Sequence, residues 1–348
     1  MPSRSSTGST RTNESAPPGR GRRWRAVTTI EDRVEQGRRP SLGDGRRDGG
    51  ERPGFGQRAW ATVFAFPYLA HLVVLTAWPV LALAYFSLTD YDTLSSPRWV
   101  GLDNFRRLFG DEAFWRSLLN TAYFAVLFVP TQTILALLLA VALNQRLRWI
   151  SWLRSAYFVP VVSSWVVVGY VADAVFNPQF GMANTVLGWL GLPPATWLQS
   201  PVLVIPTLAL VAVWKGVGYM MVLFLAGLQN IPEELYEAAK IDGASAWQRF
   251  RRVTLPGISG TTFLVLVLST ITTLQAFEQV YVMTGPMRGQ PAGQPNGASE
   301  MTVLFMYQQG FEFFNMGYAS AVAWVLFALI FILTMVQLRL QKKWVHYA

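Results

Sequence analysis

The chain has 348 residues, 52% of them hydrophobic and only 14% charged, which is too apolar for an ordinary soluble domain and points to a membrane. The absence of cysteine excludes disulfides and thiolate metal sites, and two histidines far apart in sequence do not make a His-rich metal site. The net charge of +9 is no argument for nucleic acid, because 13 of the 29 Lys and Arg residues fall in residues 1–58.

That first segment is rich in Arg, Gly, Ser and Pro and has few apolar residues, so it cannot bury enough surface to offset its ordering entropy. Residues 1–56 are therefore expected to be a disordered basic tail beside the acidic inner leaflet, and residues 57–348 the membrane domain. No small-residue cleavage site follows a short apolar core, so the tail does not read as a signal peptide. Six runs reach the roughly 18 residues needed to cross a bilayer: 60–88, 117–143, 155–176, 201–228, 258–283 and 318–338. The first loop should carry an amphipathic helix at about 102–114. The fifth has a Gly/Pro-rich stretch at 285–297; both outer loops look like docking surface, and the turn residues of the fifth also fit a plain flexible connector. The second and fourth loops and the C-terminus hold Arg146, Arg148, Arg154, Lys240, Arg249, Arg251, Arg252, Arg339, Lys342 and Lys343. The other side has Arg98, Arg106, Arg107 and Arg116, offset by five acidic residues, and Arg288. The positive-inside rule then puts both termini and the fourth loop in the cytoplasm.

The fourth loop, at about 230–257, is the most informative stretch. Pro232, Glu233 and Glu234 suit a first helical turn, by proline's fixed φ and by complementing the helix dipole, so a short helix should run to Ile241. Asp242-Gly243 breaks it, and Ser245 with Gln248 has the spacing of a capping box that starts a second short helix. Pro256 ends the module. Ala238 and Ala239 leave a small-residue patch flanked by Glu237 and Lys240.

Glu237-Ala238-Ala239, three residues, Gly243, nine residues, then Val253-x-Leu255-Pro256 resembles the cytoplasmic EAA loop of binding-protein-dependent ABC importer permeases. Val253 stands where Ile is more usual. The motifs Trp99-Val-Gly-Leu-Asp-Asn-Phe105, Asn120-Thr121, Trp214 with Leu225-Ala-Gly-Leu-Gln229, Thr284-Gly-Pro286 and the run from Phe311 to Ala321 are similar to the carbohydrate subfamily, which includes the maltose and glycerol-3-phosphate permeases. The resemblance covers nearly all of the chain after the tail. It implies an all-α, six-helix type I permease in a bacterial cell membrane, paired with a second permease as a heterodimer. Its other implied partners are two ATPase subunits, an extracytoplasmic substrate-binding protein and membrane lipid. Glu237, Ala238, Ala239, Asp242, Gly243, Leu255 and Pro256 would be the residues that couple to the ATPase. ATP and Mg would be bound there and not by this chain, which has no Gly-Lys-Ser/Thr phosphate loop and is expected to be a transport subunit without cofactor or enzymatic activity.

Ionisable groups inside spans are costly and mark functional candidates. Lys215 in the fourth span reads three ways: an anion contact for a sugar phosphate, a wall or gate residue, or a partner of Asp173, Glu278 or helix carbonyls. The fifth span carries Ser269, Thr272, Thr273 and Ala276 at i, i+3, i+4 and i+7, one helix face that suits hydroxyl-rich ligands or small-residue helix packing. Carried over residue by residue, the resemblance to maltose-type permeases puts sugar contacts at Lys215, Gly216, Tyr219, Ser269, Thr272, Thr273 and Ala276. An ion-coupled secondary transporter is the rival class. It should show duplicated halves or broken helices, and neither is evident in the sequence. A membrane-embedded enzyme would need an acid, base or nucleophile cluster, and none is convincing.

Overall fold

The computed structural model describes residues 55–145 and 149–344. The expected tail, apart from Phe55 and Gly56, therefore lies outside the described residues, as do Arg146, Arg148 and His346. Phe55 and Gly56 are already helical, because a boundary drawn from composition is blind to a helix's first turn.

By packing the chain divides into a unit ending at Tyr68 and a unit beginning at Leu69. In the first unit the described residues are helical, within α1 (Phe55–His71). The second holds α2 (Trp78–Ser87), a two-residue hairpin of β1 (Thr89–Asp90) with β2 (Arg98–Trp99), α3 (Asp103–Phe109) and α4 (Glu112–Leu143). In the antiparallel hairpin Thr89 pairs with Trp99 and Asp90 with Arg98. Then follow α5 (Ile150–Val162), α6 (Trp165–Val175), α7 (Met182–Trp189) and α8 (Val204–Gln229). The last part comprises α9 (Glu233–Ile241), α10 (Ala246–Arg249), α11 (Leu255–Gly257), α12 (Ser259–Leu274), α13 (Glu278–Thr284), α14 (Thr302–Tyr307) and α15 (Met316–Trp344).

Four helical stretches are long and apolar enough to cross a membrane: Val63–Ser87, Glu112–Leu143, Val204–Gln229 and Met316–Lys342. Two bent pairs bring the number to six, the number expected, if each counts as one span, though the second pair begins at Ala246, within the fourth loop, and not at 258. The third and fifth expected spans are thus not single helices. The third bends by 101° between α5 and α6, and the segment from α10 and α11 into α12 bends by 65°. Hydropathy reads straight through Ser163-Ser164, yet Ser164 Oγ accepts from Val167 N and caps a new helix there. The fifth span ends at Leu274, and Gln275 to Phe277 leave the helical path before α13 begins. Broken helices, which were expected of the rival class and not evident in the sequence, are therefore present here.

The helix expected at 102–114 also divides. It stops at Phe109, and Asp111 then accepts from Ala113 N at 2.9 Å as the N-cap of α4, so Phe114 belongs to the next helix. Asp111 Oδ2 also takes the Tyr318 hydroxyl at 2.6 Å, tying α4 to α15.

The central element is α8. In its most apolar window 61% of residues are buried within the chain, against none in the corresponding window of Val63–Ser87. One half of α8, with Leu208 and Val213, packs on Phe124, Phe128, Val168, Val280 and Met283. The other half, with Met221 and Phe224, packs on Ala136, Ala140, Ile150 and Val265. A third cluster, Leu108, Phe114, Phe305, Tyr318 and Val322, joins α3, α4, α14 and α15.

Candidate substrate cavity and coupling surface

The two apolar clusters around α8 do not meet. The first ends at Val213 on α8 and Phe128 on α4; the second starts at Val217 and Ala136. Between them lie Lys215, Gly216, Gln132 and, from α12, Ser269, Thr272 and Thr273, so a polar belt crosses the bundle at this level. A cavity of about 640 Å³ opens there. Of the seven expected pathway residues, Lys215, Gly216, Tyr219, Thr272, Thr273 and Ala276 line it.

Ser269 does not line the cavity. It is fully buried and its hydroxyl finds no partner, while its carbonyl accepts the Thr273 hydroxyl at 2.5 Å. Ala276 reaches the cavity for a different reason from helical phase: α12 has already ended, and the irregular backbone at Gln275 to Phe277 carries Ala276 inward. Aromatic surface comes from Phe124, Phe128, Trp165, Tyr219 and Phe277, and further polar groups from Gln275, Glu278 and Gln279. A cavity of aromatic faces with amide and hydroxyl groups suits a polyhydroxylated molecule, which needs both.

Sequence reading missed Gln132. It is fully buried beside the cavity, and neither amide atom has a hydrogen-bond partner. An unpaired buried amide costs roughly 1–3 kcal/mol per polar group, so its place in the belt needs a reason beyond packing. The signal was the polar triplet Thr131-Gln132-Thr133 within the otherwise apolar part of α4 at 122–143.

Lys215 takes the helix-carbonyl option among those the sequence left open. Its Nζ donates to the Val161 carbonyl at 3.1 Å and lies 5.0 Å from the centroid of the Trp165 ring. Asp173 pairs instead with Arg288 at 3.2 Å, joining α6 to the loop after α13. Among the described residues no group of three or more His, Cys, Asp or Glu could hold a metal.

Several motif residues turn out to build the loops on the side away from α9. Asn104 Nδ2 donates to the carbonyls of Ser87 and Thr89, and Asn120 Nδ2 to those of Gly297 and Glu300. Thr121 Oγ1 accepts from Thr302 N at 3.0 Å, and Thr284 Oγ1 from Gly293 N at 3.1 Å. The fifth loop is therefore fastened, and not a plain flexible connector. Nearby Glu300 is pushed above the ordinary carboxylate range, mainly by burial, with Arg116 opposing and Asp111 and Glu312 adding to the rise.

The segment from α9 to α11 has the expected helix, elbow and helix, except that Pro256 does not end it: proline is tolerated in the first turn of α11, which runs on to Gly257. Pro232 is the N-cap, and Gly243 has φ +73°. Gly243 N donates to the Lys240 carbonyl and Ala244 N to that of Ala239, the paired bonds of a Schellman turn that only glycine enters without steric cost. Ser245 and Gln248 form the capping box, with Gln248 N donating to Ser245 Oγ and Ser245 N to Gln248 Oε1. Tyr236 and Thr254 join hydroxyls at 3.0 Å, bracing α9 against the returning chain. Glu237, Ala238, Asp242, Gly243 and Leu255 are exposed, and Ala239 and Pro256 are half-buried. Ile241, 87% exposed, and Trp247, 66% exposed, add apolar surface at the same end.

A family model described as the binding-protein-dependent transport system inner membrane component matches residues 109–346. The chain is 34% identical over 287 residues to a probable ABC transporter permease protein of Bacillus subtilis, covering 82% of this chain and 91% of that one. It is also 34% identical over 280 residues to the trehalose/maltose transport system permease protein of Thermococcus litoralis, with coverage of 79% and 91%. A chain from a crystal structure of a bacterial ABC transporter involved in the import of the acidic polysaccharide alginate superposes with a TM-score of 0.72 at 23% identity, covering 82% of this chain and 96% of that one. At that identity the likeness speaks for the fold.

Proposed function

Because the chain belongs to the binding-protein-dependent transport system inner membrane components, which are transport components and not enzymes, we propose that it is a pathway-forming subunit of an ATP-driven carbohydrate importer. The observation that carries this reading is the cavity in the polar belt, where aromatic faces meet hydroxyl and amide groups. The substrate is a sugar, an oligosaccharide or a sugar derivative such as glycerol-3-phosphate. The relative named as a trehalose/maltose transport system permease favours this class.

In this reading the exposed segment of α9 to α11 rests in a cleft of a partner ATPase. Glu237 faces a basic group there, Ala238 and Ala239 allow close approach, and Asp242, Gly243, Leu255 and Pro256 hold the shape. ATP and Mg are bound by the partner. Closure of two ATPases moves this segment and the matching one of a second permease, switching the cavity between the two sides of the membrane. An extracytoplasmic binding protein delivers the sugar to the opposite face. Both termini are cytoplasmic in the bacterial cell membrane, residues 1–56 form a basic tail, and residues 57–348 form the permease domain.

Uptake into vesicles tests this against the ion-coupled alternative. The importer reading expects uptake to require ATP and an added binding protein, to stop with vanadate, and to persist when proton and sodium gradients are collapsed. Uptake that survives vanadate and falls with the gradient would overturn it.

A further inference from the structure

One side chain from α8 touches both sides of the break between α5 and α6. Val161 is the penultimate residue of α5, so its carbonyl is among the last four that lack a partner within the helix and lie at the negative end of the helix dipole. Trp165 is the first residue of α6. Lys215, on α8, donates to the first and lies over the ring of the second, and thus touches both sides of the 101° bend. One turn along the same face of α8, a Cβ on Gly218 would stand 2.1 Å from the Tyr157 carbonyl oxygen, so the backbones of α8 and α5 cross with no room to spare. The lysine stem also lines the cavity, together with Glu278, a group of opposite charge.

We propose that Lys215 is a positioning residue that pins the angle of the broken third span, and not a contact for an anionic substrate. An ammonium has three donors and prefers to spend them on fixed partners when withdrawn from water. Here a helix-end carbonyl and an indole face take that place. Trp165 and Val161 both line the cavity, so the bend sets the shape of its wall. A side chain that holds the bend governs how readily the wall rearranges during transport. Loss of the pin should therefore slow turnover more than it weakens binding.

The chain has no cysteine, so pairs can be introduced without background labelling. Spin labels at Val159→Cys on α5 and Tyr170→Cys on α6, both exposed positions, report the bend directly in the full-length transporter. One narrow distance distribution is expected for the parent and for Lys215→Arg, and a broadened or shifted one for Lys215→Met. If Lys215→Met does not assemble, Trp165→Leu carries the test: broadening supports the pin, and an unchanged distribution overturns it. The uptake arm rests on the transport reading above. With maltose as probe, Lys215→Met should lower turnover at least tenfold with KM within twofold. A tenfold rise in KM for glycerol-3-phosphate at unchanged turnover would make Lys215 an anion contact and overturn the proposal. If the parent takes up neither probe, maltose and glycerol-3-phosphate are not its substrates, while the distance measurement still decides the role of Lys215.

Discussion

The exposed segment of α9 to α11 and the cavity beside α8 are both polar interruptions of an apolar chain, but they are built in opposite ways. The helix ends and the elbow of the segment are shaped by bonds between residues at most five apart, and the Tyr236 to Thr254 brace closes it. The cavity is assembled from groups on α4, α5, α6, α8, α12 and α13, and its one lysine is satisfied 54 residues away in sequence. The first is a handle whose elbow is specified by its own neighbouring residues. The second has a shape that depends on how the helices lie, as expected of the part that must rearrange.

Substitutions can break this comparison, and the largest effect belongs to the cavity side. Gly218→Val drives a side chain into the Tyr157 backbone and should cost at least about 3 kcal/mol, read as loss of assembled transporter on size exclusion. A normally assembled variant would show that α5 and α8 can separate freely. Next comes the handle. A Cβ at Gly243 meets nothing within 4 Å, so Gly243→Asp costs only the left-handed backbone strain, about 1–2 kcal/mol. Assembly should survive in it and in Glu237→Lys, while uptake and substrate-stimulated ATP hydrolysis fall at least tenfold. If hydrolysis stays coupled, the segment is not the coupling surface.

Tyr219→Leu and Thr273→Leu should change sugar affinity or selectivity several-fold and leave basal ATP hydrolysis alone. An unchanged uptake profile across several sugars would remove both from the substrate pathway. The smallest effect lies outside both regions. Burial raises the Glu300 carboxyl, so the folded loop binds more protons than the unfolded chain just above the ordinary carboxylate range. Stability should fall as pH rises through that window and then level off. Glu300→Gln should flatten this slope in a melting series taken from acid to neutral pH; an unaltered slope would mean that Glu300 carries no such penalty.

The same contrast explains what the sequence made legible. Gly243, Ser245, Gln248 and Pro232 act on their own neighbours, so their spacing alone specifies the handle. Asp111 and Ser164 are caps too. Yet Asp111 lay inside a run taken for one amphipathic helix, and Ser164 inside a hydropathy window that two serines do not interrupt. Lys215, Gly216 and Tyr219, the expected residues on α8, all line one cavity, because helical phase holds from Lys215 to Tyr219 in an unbroken helix. The phase expected for Ser269 to Ala276 failed where α12 ends at Leu274, a stop imposed by no proline, glycine or capping signal. Gln132 and the Val161 carbonyl became visible only when distant helices came together.

The most direct test of the handle is contact. A photo-crosslinking residue at Ile241, exposed at the end of α9, should give a nucleotide-dependent adduct with the ATPase subunit in the assembled transporter. Crosslinking to lipid alone, unaffected by ATP, would contradict the account.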